Sequence, residues 1–228
     1  MSTLFITGTD TGVGKTTLTG LLLAHLRSSG VHALGMKPFC TGSRHDAELI
    51  RSVIDHELDL DEINPFYFAQ GIAPWAAARL TNCRLTLEMV LDKIEPVRNR
   101  CELLIIEGAG GLLSPLAEGV TALELITSAC DKVIAVSSNK LGVLNHALLT
   151  ARALPRDISL HSTFVLMDLE EPDESSASNP QFLSELLSPR RLFRFPHLIG
   201  DCHDPAHLKE IAEGIKPTLD ELLKGGRT

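Results

Sequence analysis

Gly12, Gly14, Lys15, Thr16 and Thr17 fall together in the stretch FITGTDTGVGKTTL, Phe5 to Leu18, where one apolar run ends in a glycine-bearing loop and a second begins. These residue types, in this order, grip phosphate. Gly12 and Gly14 let backbone N–H groups turn inward, the helix that opens at Lys15 offers the positive end of its dipole, and Lys15 adds a mobile ammonium. The Thr16 hydroxyl is suited to Mg²⁺. The common pattern G-x-x-x-x-G-K-[ST] wants glycine at position 9, where this chain carries Thr9. The phosphate features are nevertheless all present, because an ordinary glycine turn would not require Gly14-Lys15-Thr16 at a helix start.

Two further stretches carry charge to where a phosphate would sit. In LLIIEGAGG, Glu107 ends a buried apolar run and is followed at once by glycines, a position from which a carboxylate orders Mg²⁺ directly or through water. In GMKPFCTGSRHDAELI, Lys37 ends a short run that Pro38 breaks, Thr41-Gly42 makes a polar turn, and Asp46 begins a helical pattern. A lysine delivered beside bound phosphate stabilises charge on a transferring phosphoryl group, and Asp46 is a second candidate magnesium ligand. His45 and His146 read as surface and packing residues. No Ser-His-Asp or reactive-cysteine arrangement is present to act as a covalent nucleophile.

The elements that must hold these groups alternate along the chain. TLFITG, HALGMK, CELLIIEG, KVIAVSS, HSTFVLMD and RLFRFP read as strands, apolar without polar alternation, as a parallel sheet covered on both faces requires. Helical patterns lie between them at roughly 15–29, 46–57, 86–98, 121–129, 144–154 and 204–223, the last with an Asp204 cap and Pro205 at its first position. The order predicts an α/β fold, a doubly wound, mostly parallel sheet flanked by helices, with ligands at the carboxyl ends of the strands. At 228 residues the chain is expected to form one domain. Residues 58–82 read as turns and aromatics covering an edge of the site, and 168–180 as an acidic, serine-rich mobile loop.

Bulk properties exclude other classes. The net charge of −8 is spread along the chain, against a nucleic-acid footprint, and no run nears the roughly 20 apolar residues of a membrane span. The start MSTLFITGTD has no leader pattern, so a cytoplasmic protein with no membrane partner is expected. Five cysteines without a C-x-x-C pair predict reduced structural thiols rather than disulfides or zinc.

GTDTGVGKT, KPFCTG with Asp46 after it, EGAGG and KLGVLNHALLT, in this order and spacing, resemble the dethiobiotin synthetases of biotin biosynthesis. The match runs from about residue 3 to 154. That family's phosphate loop is itself the longer G-T-D-T-x-V-G-K-T, so Thr9 fits it. The resemblance implies a P-loop NTPase-type fold and an ATP-dependent ring closure. CO₂ and 7,8-diaminopelargonate form a carbamate, its oxygen takes the γ-phosphoryl group, and the second amine attacks the mixed anhydride. It further implies that Lys15 and Lys37 stabilise the phosphoryl group and carbamate, and that Thr16, Asp46 and Glu107 hold Mg²⁺. Thr11 and Thr41 would face the diamine and carbamate. Nucleotide contacts carry over to Gly12, Val13, Gly14, Lys15, Thr16, Thr17, Glu107, Gly108, Ala109 and Gly110, and to Pro196, His197 and Leu198. In the family, the element matching Leu141, Gly142, Val143, Leu144 and Asn145 meets the substrate carboxylate from the neighbouring subunit, which implies a homodimer with shared active sites.

One position departs from the family, which commonly carries asparagine then aspartate against the base where this chain has Met167 and Asp168. Methionine offers apolar contact only, while Asp168 accepts from an exocyclic amine of adenine, cytosine or guanine, so other nucleoside triphosphates stand beside ATP. Two related classes fit less well. Switch ATPases of the septum-site and chromosome-partitioning type look like K-G-G-x-G-K-[ST], and here no lysine precedes Lys15. Cobyrinic acid amidases carry a glutamine-hydrolysing domain for which this chain has no room.

Overall fold

Why the chain folds as it does is clearest in the inner strands of its main sheet, whose side chains are buried on both faces. In the computed structural model, which describes residues 1–224, the strands are β1 Ser2–Gly8, β2 Ala33–Met36, β3 Phe39–Thr41, β4 Phe66–Phe68, β5 Leu103–Gly111, β6 Pro115–Ala117, β7 Val120–Thr121, β8 Lys132–Ser138, β9 Thr163–Met167 and β10 Arg191–Phe195. The helices are α1 Lys15–Ser28, α2 His45–Val53, α3 Leu60–Ile63, α4 Pro74–Leu80, α5 Leu87–Arg98, α6 Ala122–Ala129, α7 Val143–Ala153, α8 Arg156–His161, α9 Asn179–Leu187, α10 Pro205–Gly214 and α11 Lys216–Leu223. The six long apolar runs form one sheet in the order β10-β9-β8-β1-β5-β2, with every neighbour parallel. Parallel pairing sends all six carboxyl ends to one edge, which therefore carries the phosphate loop after β1, Lys37 after β2 and Glu107 late in β5.

Helices close both faces. α1 runs against β1, β2 and β5 with Leu18, Leu21, Leu22 and Leu23 fully buried, and it packs so closely on α10 that a Cβ on Gly20 would fall 2.6 Å from Leu208 Cδ1. On the other side of the sheet's far half, α7 and α9 bury Val143, Ala147, Leu183 and Leu187 against Phe164 and Leu166. Caps set the helix starts: Thr86 accepts from Met89 N–H, and Thr121 with Glu124 forms a capping box.

Three segments differ from the sequence expectation. Residues 204–223 form two helices rather than one, because Gly214 is a poor helix former and Pro217 has no N–H to continue the ladder. Residues 58–82 are ordered: β4 pairs in parallel with β3, and α4 starts at Pro74. The acidic 168–180 segment is not a free loop, since Asp173 caps a 3-10 turn over Glu174–Ala177 and α9 follows directly.

Candidate nucleotide and phosphoryl-transfer site

The phosphate loop is shaped by glycine. Gly12 and Gly14 have φ of 70° and 97°, in the left-handed region that L side chains avoid, and Gly14 is the residue from which α1 starts. The loop folds back over its own lysine, whose Nζ donates to the Asp10 carbonyl at 2.8 Å. Burial pushes the Lys15 ammonium down to about 8, and the nearby Lys37 charge adds to the shift.

Lys37, at the carboxyl end of β2, is the centre of an ionic cluster. Its Nζ contacts Glu107 Oε1 and lies 2.8 Å from Asp46 Oδ2. Burial alone would lower its pKa, but the Glu107 and Asp46 carboxylates outweigh that and hold it well above an ordinary lysine. Asp46 is in turn held below the usual aspartate range, because Lys37 outweighs the opposing effect of burial. The Thr16 hydroxyl donates to the same Glu107 Oε1 at 2.7 Å. Four separate elements thus converge: the start of α1, the end of β2, the start of α2, and β5.

A cleft of about 660 Å³ opens over this cluster. It gathers Thr11, Gly12, Gly14, Lys15, Thr16, Thr17, Lys37, Thr41, Asp46, Glu107, Ala109 and Gly110 from among the sequence-predicted residues. Phe39, Cys40, Ile72, Ala73 and Pro74 add an apolar wall, and Ser43, Ser114 and His203 add polar edges that sequence reasoning missed. The wall comes from β3 and from the ordered 58–82 segment that pairs with it, a β3–β4 pairing no local pattern announced. Cys40 is kept a neutral thiol, since burial pushes it up to about 12.

The remaining predicted residues stand elsewhere. Val13 is in the core, and Gly108 lies against Phe5, where a Cβ would come within 3.0 Å of the ring. Met167 is buried and packs over the phosphate loop, such that a Cβ on Gly14 would meet its Cγ at 3.2 Å. Asp168 is already engaged, accepting from Asn139 Nδ2 at 2.8 Å and from Arg194 Nε at 2.9 Å. Pro196 and His197 are exposed and Leu198 is half-buried, all three beyond the end of β10. Leu141, Gly142, Val143, Leu144 and Asn145 form the turn into α7 outside the cleft wall, and two of their amides are committed within the chain. Leu141 N–H donates to Asp173 Oδ2 at 2.7 Å and Val143 N–H to the Lys140 carbonyl at 3.1 Å.

Oxygen ligands for a hard cation are present in the right chemistry. Thr16, Asp46 and Glu107 offer hydroxyl and carboxylate oxygens, and Glu107 Oε2 is buried with no hydrogen-bond partner among the described residues. No cluster of three or more acidic, histidine or cysteine side chains able to hold a metal occurs among the described residues. One hydroxyl and two carboxylates are oxygen donors of the kind that hold Mg²⁺ beside substrate phosphates. The donor set therefore fits the ion.

Comparison with known proteins bears on the family and the fold. A family model described as an AAA domain matches residues 2–199. The ATP-dependent dethiobiotin synthetase BioD of Anaeromyxobacter sp. (strain Fw109-5) is 35% identical over 218 residues, 93% of each chain. The enzyme of the same name from Bacillus subtilis (strain 168) is 33% identical, covering 82% of this chain and 83% of the relative. Among solved structures, the MinC:MinD cell division protein complex of Aquifex aeolicus aligns over 100% of this chain and 98% of that one, with a TM-score of 0.65 at 15% identity. The ParA family ATPase from Chlorobium tepidum TLS aligns over 97% and 98%, with a TM-score of 0.56 at 16% identity. At such identities these two likenesses speak for a shared P-loop fold and nothing more.

Proposed function

This chain belongs to the ATP-dependent dethiobiotin synthetase family, and we propose that its cleft closes the ureido ring of dethiobiotin from 7,8-diaminopelargonate and CO₂. As a member it is a ligase of biotin biosynthesis that consumes ATP. The observation that carries the detailed reading is Lys37, fixed by Glu107 and Asp46 beside the phosphate loop. An ammonium so held cannot swing away, and it stands where negative charge builds on a carbamate oxygen and a transferring phosphoryl group.

The charge balance of the cleft supports a metal requirement. Lys15 and Lys37 face Asp46 and Glu107, so an incoming triphosphate meets little net positive charge from these four side chains. Thr16, Asp46 and Glu107 would hold Mg²⁺, which screens the phosphates and draws charge off the leaving group. The loop amides from Gly12 to Thr17 bind and orient the phosphates, and Lys15 follows them as a mobile cation. Thr11 and Thr41 hydrogen-bond the diamine and carbamate, and the apolar wall of Phe39, Ile72 and Pro74 suits the aliphatic chain of the substrate. Because the carbamate oxygen itself attacks phosphorus, no protein nucleophile is needed, in keeping with the neutral thiol of Cys40.

The base is met by Met167 as an apolar face, Asp168 and the Pro196–Leu198 segment. The turn at Leu141–Asn145 serves the diamine carboxylate of the neighbouring subunit in a homodimer. The chain works as one domain, on one six-stranded sheet. No helix among the described residues is long and apolar enough to cross a membrane.

The test is direct. Purified protein is given 7,8-diaminopelargonate, bicarbonate, Mg²⁺ and each nucleoside triphosphate in turn, and dethiobiotin is measured by mass. Product with ATP is expected; no product with any triphosphate would sink the reading.

A further inference from the structure

Between the base-facing end of β9 and the turn into α7 runs a continuous hydrogen-bonded chain of polar side chains, buried at Asn139, Ser176 and Asn179, half-buried at Asp168 and reaching the surface at Asp173. Asn139, fully buried at the end of β8, donates from Nδ2 to Asp168 Oδ1 at 2.8 Å and to the Ser176 carbonyl at 3.0 Å. Its Oδ1 accepts from Asn179 Nδ2 at 3.0 Å, and its carbonyl accepts from Ser176 Oγ at 2.9 Å. Ser176 Oγ also reaches Asp173 Oδ1 at 3.1 Å, and Asp173 Oδ2 takes the Leu141 N–H at 2.7 Å. Asn139, Ser176 and Asn179 are 0%, 5% and 3% exposed. An unpaired amide at that depth costs free energy, so the network favours one arrangement of the segments it joins.

We infer that Asn139 and Asp173 are positioning residues for the reaction: together they hold the 140–145 turn and Asp168 in a fixed relation, setting affinity for the diamine from within the fold. The assignment rests on the role proposed for that turn in meeting the diamine carboxylate. Neither residue lines the cleft. Asp173 divides its two oxygens cleanly. Oδ1 caps the 3-10 turn through Ser175 and Ser176 N–H, at 2.9 and 3.1 Å, while Oδ2 alone tethers Leu141. An asparagine keeps one carbonyl oxygen for the cap and turns an NH₂ toward the Leu141 N–H, which replaces the tether by two opposed donors.

Asp173→Asn therefore separates holding the turn from folding the segment. Steady-state kinetics are measured with 7,8-diaminopelargonate, together with the Kd of a non-hydrolysable ATP analogue in the absence of the diamine. Expected is a rise of about tenfold in the diamine KM with kcat and analogue Kd within about twofold, the loss of one charge-assisted hydrogen bond. Asn139→Ala, which also removes one of the two side chains that hold Asp168 and leaves it to Arg194, is expected to raise both the diamine KM and the analogue Kd. An unchanged diamine KM in Asp173→Asn overturns the inference, as does a parallel loss of kcat, diamine affinity, analogue binding and thermal stability, which would mark a merely structural residue. If Asn139→Ala does not fold, the asparagine variant still decides. Absence of dethiobiotin synthesis by the wild-type protein would instead remove the diamine reading itself, and the inference with it.

Discussion

Lys37 and Lys15 share one charge and differ in what surrounds it. Lys37 is locked between Glu107 and Asp46, whereas Lys15 rests on a backbone carbonyl and is free to follow a ligand. Lys37→Ala should cut kcat by about a hundredfold or more, while nucleotide affinity, borne by the loop amides and Lys15, falls far less. Single-turnover kinetics beside direct binding would show the split, and equal losses in both would contradict a role in the chemical step. Lys15 gives a pH signature. Its pKa near 8 in the free protein must rise when a triphosphate anion arrives, so binding takes up a proton above pH 8 and almost none near pH 7. Nucleotide affinity is therefore expected to weaken as pH climbs through 8 toward 10, by up to about tenfold per pH unit. Calorimetry at pH 9 in two buffers of different ionisation enthalpy would detect the proton, and equal heats in both would refute it.

At the scale of elements, the site is three strands and two helix starts brought to a single edge, and its rigidity depends on what lies behind them. α1 carries the phosphate loop at its N-terminus and is backed by α10 through the Gly20–Leu208 contact. Leu208→Ala should cost about 2–5 kcal/mol of stability by leaving a cavity, yet spare kcat of the folded fraction. Chemical denaturation with a parallel activity assay would show it; a kcat loss larger than the folded-fraction loss would mean that α10 steers the loop directly. Five of the six sheet strands were legible in the sequence because a strand buried on both faces is a continuous apolar run, the edge strand β10 by its apolar residues between arginines, and the phosphate loop because its glycines and lysine are adjacent. The wall of the cleft was not legible. β3 and β4 are three residues each, too short for a period, and their pairing joins residues 27 apart. The Asn139–Ser176–Asp173 network hid for the same reason: asparagine, serine and aspartate in a polar stretch read as loop, and only the closeness of β8 to the start of α9 makes them partners.

For the whole molecule, the question is where a second copy would sit. Leu141, Asn145 and Leu149 are spaced four apart at the start and outer face of α7, and Leu141 and Leu149 are 80% and 57% exposed. α9, which packs on α7, exposes Phe182 and Leu186, again four apart, at 46% and 48%. Two packed helices that both turn large apolar side chains outward form a face that water does not favour, and a two-fold axis through it would bury the same face on both copies. That face begins at the very turn proposed to serve the neighbour's diamine, so association and catalysis should fail together. Leu149→Glu would place a carboxylate on this face and is expected to shift the proposed dimer to monomer in light scattering at micromolar concentration. Turnover should fall more than about tenfold, whereas the affinity of the monomer for a non-hydrolysable nucleotide should stay within about twofold, because the phosphate loop, Lys15 and the proposed Mg²⁺ ligands all come from one chain. A variant that remains dimeric and fully active would put the interface elsewhere, and one that becomes monomeric yet keeps its turnover would show that each active site is complete within a single chain.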